Sequence, residues 1–118
     1  MIVLSVTFRR VQVWHEDVEA YAAHDAHDGE LQGYFFLDLH PRPGKYAHQC
    51  VYPLQPAFGA AADGTRTPAV CTVIGNMTKP TAERPALMRF REVETFFHEF
   101  GHVMHWCGAT LRLTARVA

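Results

Sequence analysis

From about Pro85 onward the apolar residues change their spacing, and this change limits the possible fold more than any other feature of the chain. With His98 set to zero and 100° allowed per residue, Val93, Phe96, Phe97, Phe100, Val103, Met104 and Cys107 fall between roughly 140° and 260°. Arg91, Glu94, Thr95, His98, His102 and His105 fall within roughly 60° of zero on the same wheel. The spacing predicts an amphipathic helix of about 20 residues, its histidines opposite the stripe that packs on a core. Pro85 suits a first helical turn, where a missing N–H has no partner to lose, and Gly108 is a natural C-terminal stop.

Upstream, the apolar residues come in short runs bounded by turn residues. Met1 to Phe8, with Ile2, Val3, Val6 and Phe8, reads as a buried strand. Val11–Trp14 and Val18–Ala23 suit strands, and Asp28-Gly29 signals a tight turn before Leu31–Leu39, so the last two runs read as a β-hairpin. Pro41-Arg42-Pro43-Gly44 breaks regular structure, Tyr46–Leu54 is extended, and the β-branched run Val70–Met77 is one more strand. A chain of 118 residues holds one small domain. The expected fold class is α+β: antiparallel β-strands followed by a long amphipathic helix.

Composition excludes several classes. Eleven Lys and Arg against 12 Asp and Glu give a formal charge of −1, without the basic excess of a nucleic-acid or anionic-membrane surface. No apolar run approaches the ~18 residues of a membrane span. The basic pair Arg9-Arg10 follows the first apolar stretch, the reverse of a secretory signal. Cys50, Cys71 and Cys107 are odd in number and widely spaced, which argues for reduced, buried thiols and an intracellular setting.

The predicted helix carries His98-Glu99-Phe100-Gly101-His102, an H-E-x-x-H motif. Residues four apart stand one turn up the same face, about 6 Å along the axis, so two imidazoles can converge on one cation. Neutral imidazole nitrogens suit Zn2+, which accepts N/O donors and can leave one position to water. Glu99, on the flank of that face, is placed to take a proton from a zinc-bound water. Chance supplies H-E-x-x-H in roughly 3% of chains of this composition, so the motif gains its weight from the helix beneath it. A solvated polar face is the bland reading of the same residues. His105 lies about 10.5 Å along the axis from His98, too far for both rings to close on one ion.

Glu92-Val93-Glu94-Thr95-Phe96-Phe97-His98-Glu99-Phe100-Gly101-His102-Val103-Met104-His105 resembles the active-site helix of the thimet oligopeptidase family, the zinc peptidases that include neurolysin and saccharolysin. Gly33 to Tyr46 is similar to that family's hydrophobic strand and Pro-Arg-x-Gly-Lys turn, and His48, Leu54-Gln55-Pro56 and Asn76-Met77-Thr78-Lys79-Pro80 match further segments in order. The resemblance implies a zincin-like catalytic region, part of a larger and mostly α-helical peptidase. It implies one Zn2+ held by His98 and His102, Glu99 as general base, and short oligopeptides as substrates. The implied compartment is the cytosol, with mitochondrial relatives. By analogy with other zincins, the Val70–Met77 strand would pair with the backbone of a bound peptide.

The family takes its third ligand from a glutamate about 25 residues beyond the second histidine. Here 16 residues follow His102 and none is Asp or Glu, so no third metal ligand is found. Phe90-Arg91 stands where the family usually has His-Asp. The expected organisation is a partial catalytic domain over residues 1–107 and a tail over 108–118 unlike the family, in which Leu111, Leu113 and Val117 alternate as in a strand. The expected function is a zinc-dependent metalloendopeptidase, represented here by an incomplete catalytic domain whose activity by itself is open. Two alternatives stand beside it: a metal-binding module without turnover, and a non-functional fragment of a longer peptidase gene. Neither nucleic acid nor membrane is an expected partner, and the oligomeric state is open. Exposed apolar segments, Tyr34–Leu39 and Phe96–Phe100 among them, are expected to make the chain marginally stable.

Overall fold

The computed structural model describes residues 5–59 and 62–108. The readings that fall on Ile2 and Val3 and on the 109–118 tail lie outside the described residues. Five strands and one helix follow in order: β1 (Val6–Val11), β2 (Val18–Asp25), β3 (Leu31–Asp38), β4 (Cys50–Gln55), β5 (Ala69–Ile74) and α1 (Phe90–Gly108).

The hairpin expected at Asp28-Gly29 is present. β2 and β3 pair antiparallel, with Tyr21 opposite Phe35 and Ala23 opposite Gly33. The turn is built by side chains: Asp25 Oδ1 accepts from the His27 N–H at 2.7 Å and Asp28 Oδ1 from the Glu30 N–H at 2.8 Å, while Gly29 takes φ +76°. β1 adds to β2 antiparallel over Val6–Val11, running past the Phe8 end expected for the first strand, and the separate strand expected over Val11–Trp14 is absent beyond Val11. As an edge strand β1 is covered on one side only. Phe8 is therefore exposed rather than buried, resting edge-on against Phe35 and Phe100 at ring distances of 5.4 and 6.1 Å.

The expectation of an all-antiparallel sheet fails at one place. The sheet order is β1-β2-β3-β5-β4, and β5 runs parallel to β3 while pairing antiparallel with β4. The sheet is mixed. β4 goes to the edge because Pro53 has no N–H to give a neighbour, whereas β5 buries Ala69, Cys71 and Val73 completely and is paired on both sides. β5 accordingly has no free edge, which rules out the expected pairing of a peptide with that strand; among the described residues the outer strands of the sheet are β1 and β4.

The return from β3 toward β4 is fixed at Asp38. Arg42 grips its carboxylate with two bonds of 2.6 and 2.7 Å, and Lys45 Nζ reaches Asp38 Oδ1, the Asp38 carbonyl and the His40 carbonyl at 3.0, 2.8 and 2.6 Å. All three ammonium donors are thus satisfied, which is why Lys45 can be buried.

α1 packs across β3, β4 and β5. Its start differs from expectation: the helix begins at Phe90, not Pro85. Glu92 Oε2 reaches back to accept from the Arg89 N–H at 2.6 Å, half of a capping box, and the Arg89 carbonyl takes the first helical bond. Val103 and Cys107 are buried against Ala23, Phe35, Cys71 and Val73. Phe97, at the rim of the predicted stripe, is 64% exposed because the sheet reaches only the stripe's centre. All three cysteines are free thiols; hydrogen bonding with Cys107, then burial, pushes the Cys71 thiol far above the ordinary thiol range.

Candidate metal centre

His98, Glu99 and His102 lie in the middle of α1, on the part of its surface that turns away from the buried stripe. The two imidazoles are exposed, with ring centroids 5.0 Å apart and planes crossed at 81°. Their Nε2 atoms stand 3.3 Å apart. Two nitrogens bound at about 2.0–2.1 Å to one ion, at the tetrahedral angle, are separated by about 3.3–3.4 Å. The pair therefore has the bite of two ligands of a tetrahedral zinc ion. The same distance admits an N–H···N hydrogen bond between unlike tautomers, so the metal-free pair is held in register as well.

Among the described residues no group of three His, Cys, Asp or Glu could hold a metal. The remaining positions, 1–4, 60–61 and 109–118, contain none of these residue types. The donor set fits zinc as two of its four ligands, and the chain adds no third. His105 is exposed in the last turn of α1 and joins no cluster; there a basic side chain faces the carbonyl end of the helix dipole.

Glu99 is half-buried, and its Oε2 accepts a hydrogen bond of 3.0 Å from the backbone N–H of Val51 in β4. Two turns along the same flank, Trp106 Nε1 donates to the Gln55 carbonyl of β4 at 3.3 Å. Residues seven apart share a flank of a helix, so Glu99 and Trp106 clasp the edge strand at two points and hold the imidazole pair beside it. Residue type gives no sign of the roles of Val51 and Gln55, because both act through backbone atoms, although Gln55 lies in a segment similar to the family. The one signal was Pro53, which marks an edge strand. In the other segments that matched the family, Asn76 donates to the Tyr46 carbonyl at 2.9 Å and His48 lies against Tyr46.

A profile of the peptidase family M3 matches residues 3–113. The chain belongs to peptidase family M3. Relatives of this M3 chain include the thimet-like oligopeptidase of Dictyostelium discoideum, 48% identical over 106 residues, which are 86% of this chain and 16% of that protein. Saccharolysin of Saccharomyces cerevisiae is 38% identical over 96 residues, 79% of this chain and 13% of that one. A probable cytosolic oligopeptidase A of Arabidopsis thaliana is 35% identical over 96 residues, 78% of this chain and 13% of its own length. The M3 chain thus spans about a sixth or less of these curated relatives.

Proposed function

We propose that this chain carries the metal-binding and proton-transfer part of a zinc-dependent oligopeptidase. The observation that carries the reading is the His98–His102 pair, two nitrogens 3.3 Å apart on an exposed helix face with Glu99 fixed beside them. His98 and His102 would hold the ion, which when bound supplies a Lewis acid to polarise the scissile carbonyl and acidify a water.

Glu99 serves as the general base, accepting the proton of the attacking water and handing it to the leaving amine. Its bond to the Val51 N–H leaves the other carboxylate oxygen free for that proton and limits rotation of the group. The order of a sheet followed by a helix that carries the H-E-x-x-H residues supports a zincin-like catalytic region within a larger enzyme. A relative named cytosolic supports a place in the cytosol.

The test is cleavage of quenched fluorogenic peptides by the purified chain. Activity lost to a chelator, restored by zinc, and lowered by about 10²–10⁴-fold in Glu99→Gln supports the reading. The two-ligand donor set also favours a second reading, a metal-binding module without turnover. Zinc binding with no cleavage by the chain would select it.

A further inference from the structure

We propose that Cys107 and Cys71 form a peroxide-reactive dithiol: hydrogen peroxide entering a small cavity at the end of α1 oxidises Cys107, and Cys71 closes the product to a disulfide between α1 and β5. The inference stands apart from the metal centre and from peptide cleavage. Its first support is the placing of the two sulfurs. β5 buries Ala69, Cys71 and Val73 on one face, and Cys107, in the last turn of α1, packs into the same cluster. Gly33 makes the room, since a Cβ there would stand 3.0 Å from Cys107 Sγ. The two thiols hydrogen-bond to each other.

The second support is a division of roles. Cys71 donates the shared hydrogen bond and keeps its proton, which pushes its thiol far up. Cys107 accepts that bond, and the contact holds its thiol below the ordinary range although burial opposes this. The thiolate is the nucleophile, so Cys107 reacts first and Cys71 second.

The third is a place for the oxidant. Cys107 lines a cavity of about 20 Å³ with Ser5, Val6, Ala23, Gln32 and Met104, enough for one molecule near the size of water. Gln32 is 3% exposed, and its Nε2 faces the Glu30 carbonyl at 3.4 Å. Its Oε1 is buried with no hydrogen-bond partner among the described residues, an acceptor that calls for a donor. Hydrogen peroxide is small and neutral, suits a mostly apolar lining, and brings two O–H donors. One of them satisfies Gln32 while the O–O bond lies beside Cys107.

The chemistry balances in two steps. The Cys107 thiolate attacks one peroxide oxygen; an S–O bond forms, the O–O bond breaks, and hydroxide leaves, taking up the proton Cys107 released to become water. The Cys71 sulfur then attacks the sulfenic sulfur of Cys107. An S–S bond forms, the S–O bond breaks, and the hydroxyl leaves as water with the Cys71 proton. Two thiols lose two electrons, and one peroxide is reduced to two waters.

Equimolar hydrogen peroxide added to the folded 118-residue chain, then alkylation in denaturant and peptide mass mapping, tests the proposal. The expected product is a monomer lighter by two hydrogens, its Cys71 peptide joined to its Cys107 peptide and Cys50 alkylated as a free thiol. A dithiol reductant should restore the parent mass. In Cys71→Ser a sulfenic-acid trap should label Cys107, whereas in Cys107→Ser it should leave Cys71 unlabelled. Gln32→Leu should slow the oxidation about five-fold, the effect of one lost hydrogen bond. A Gln32 that served the fold alone would, when replaced, loosen the core and speed the reaction instead. Preferential oxidation of Cys50, a disulfide between chains, first labelling at Cys71, or an undiminished rate in Gln32→Leu overturns the proposal. So does a Cys71–Cys107 bond that forms only after denaturant has unfolded the chain.

Discussion

At Gly33 the end of α1 lies close against the sheet. A Cβ there would sit 2.8 Å from the Ala69 carbonyl oxygen and 3.0 Å from Cys107 Sγ, and the first of these is backbone that has no rotamer to escape into. Gly33→Ala should lower stability by about 1–3 kcal/mol, read from denaturant midpoints, because relief requires moving β5 or the end of the helix. Gly101 supplies the contrast. Its Cβ would meet nothing, and in a helix interior Gly101→Ala should raise stability by about 0.5–1 kcal/mol. At Asp38 the prediction concerns pH. The Arg42 guanidinium foremost, with Lys45 beside it, holds this carboxyl below the usual carboxylate range. A pKa depressed by folding adds stability that is fully present above the unfolded value, about 3.9, and is lost as pH falls through the folded value. Thermal melts from pH 7 down to 3 should show a loss of stability below about pH 4, and Asp38→Asn should be less stable at pH 7 with a shallower acid dependence. The motif residues His98, Glu99 and His102 are legible in sequence because a fixed spacing on one helix determines their separation. The partner of Glu99 is not, since a backbone N–H 48 positions away has no residue-type signature.

At the scale of elements, α1 is held by its buried stripe and by its clasp on β4. Val103 is fully buried against the strands, and Val103→Ala should cost about 2 kcal/mol through lost burial and the cavity left behind. Trp106→Phe keeps most of the apolar area and removes the bond to Gln55, so about 1 kcal/mol is expected. Chemical denaturation of both variants, compared with the parent chain, checks the ordering. The β2–β3 hairpin and the helix face could be read from the sequence because both depend on neighbours a few residues apart. The parallel pairing of β3 with β5 could not, for the β4 segment intervenes in the chain and then takes the outer place in the sheet. The helix starts later than its periodicity predicts for a local reason: a proline at the first turn is permissive, whereas the reach of Glu92 to the Arg89 N–H decides where the first turn closes.

For the whole molecule the decisive fact is the distribution of apolar surface. Tyr34–Leu39 turns out better covered than expected: Phe35 is buried, and Trp14 lies across Phe36 at 5.1 Å. Exposure falls instead on Tyr52, Leu54 and Phe58 along and beyond β4, and on Leu87, Phe90 and Phe97 around the start of α1. Among the described residues no helix is long and apolar enough to cross a membrane. The chain should bind a hydrophobic dye at neutral pH and lose solubility as concentration rises; a cooperative melt with negligible dye binding would contradict this.

The sequence by itself determined the helix, the spacing of its two imidazoles and the hairpin at Asp28-Gly29, because each is a property of residues within a turn or two of one another. Only the tertiary structure decided which strand lies at the edge and that Val51 and Gln55 fasten α1 to it. Those outcomes depend on which distant segments pack together, and pairing between remote backbones leaves no periodicity along the chain for a reader to find.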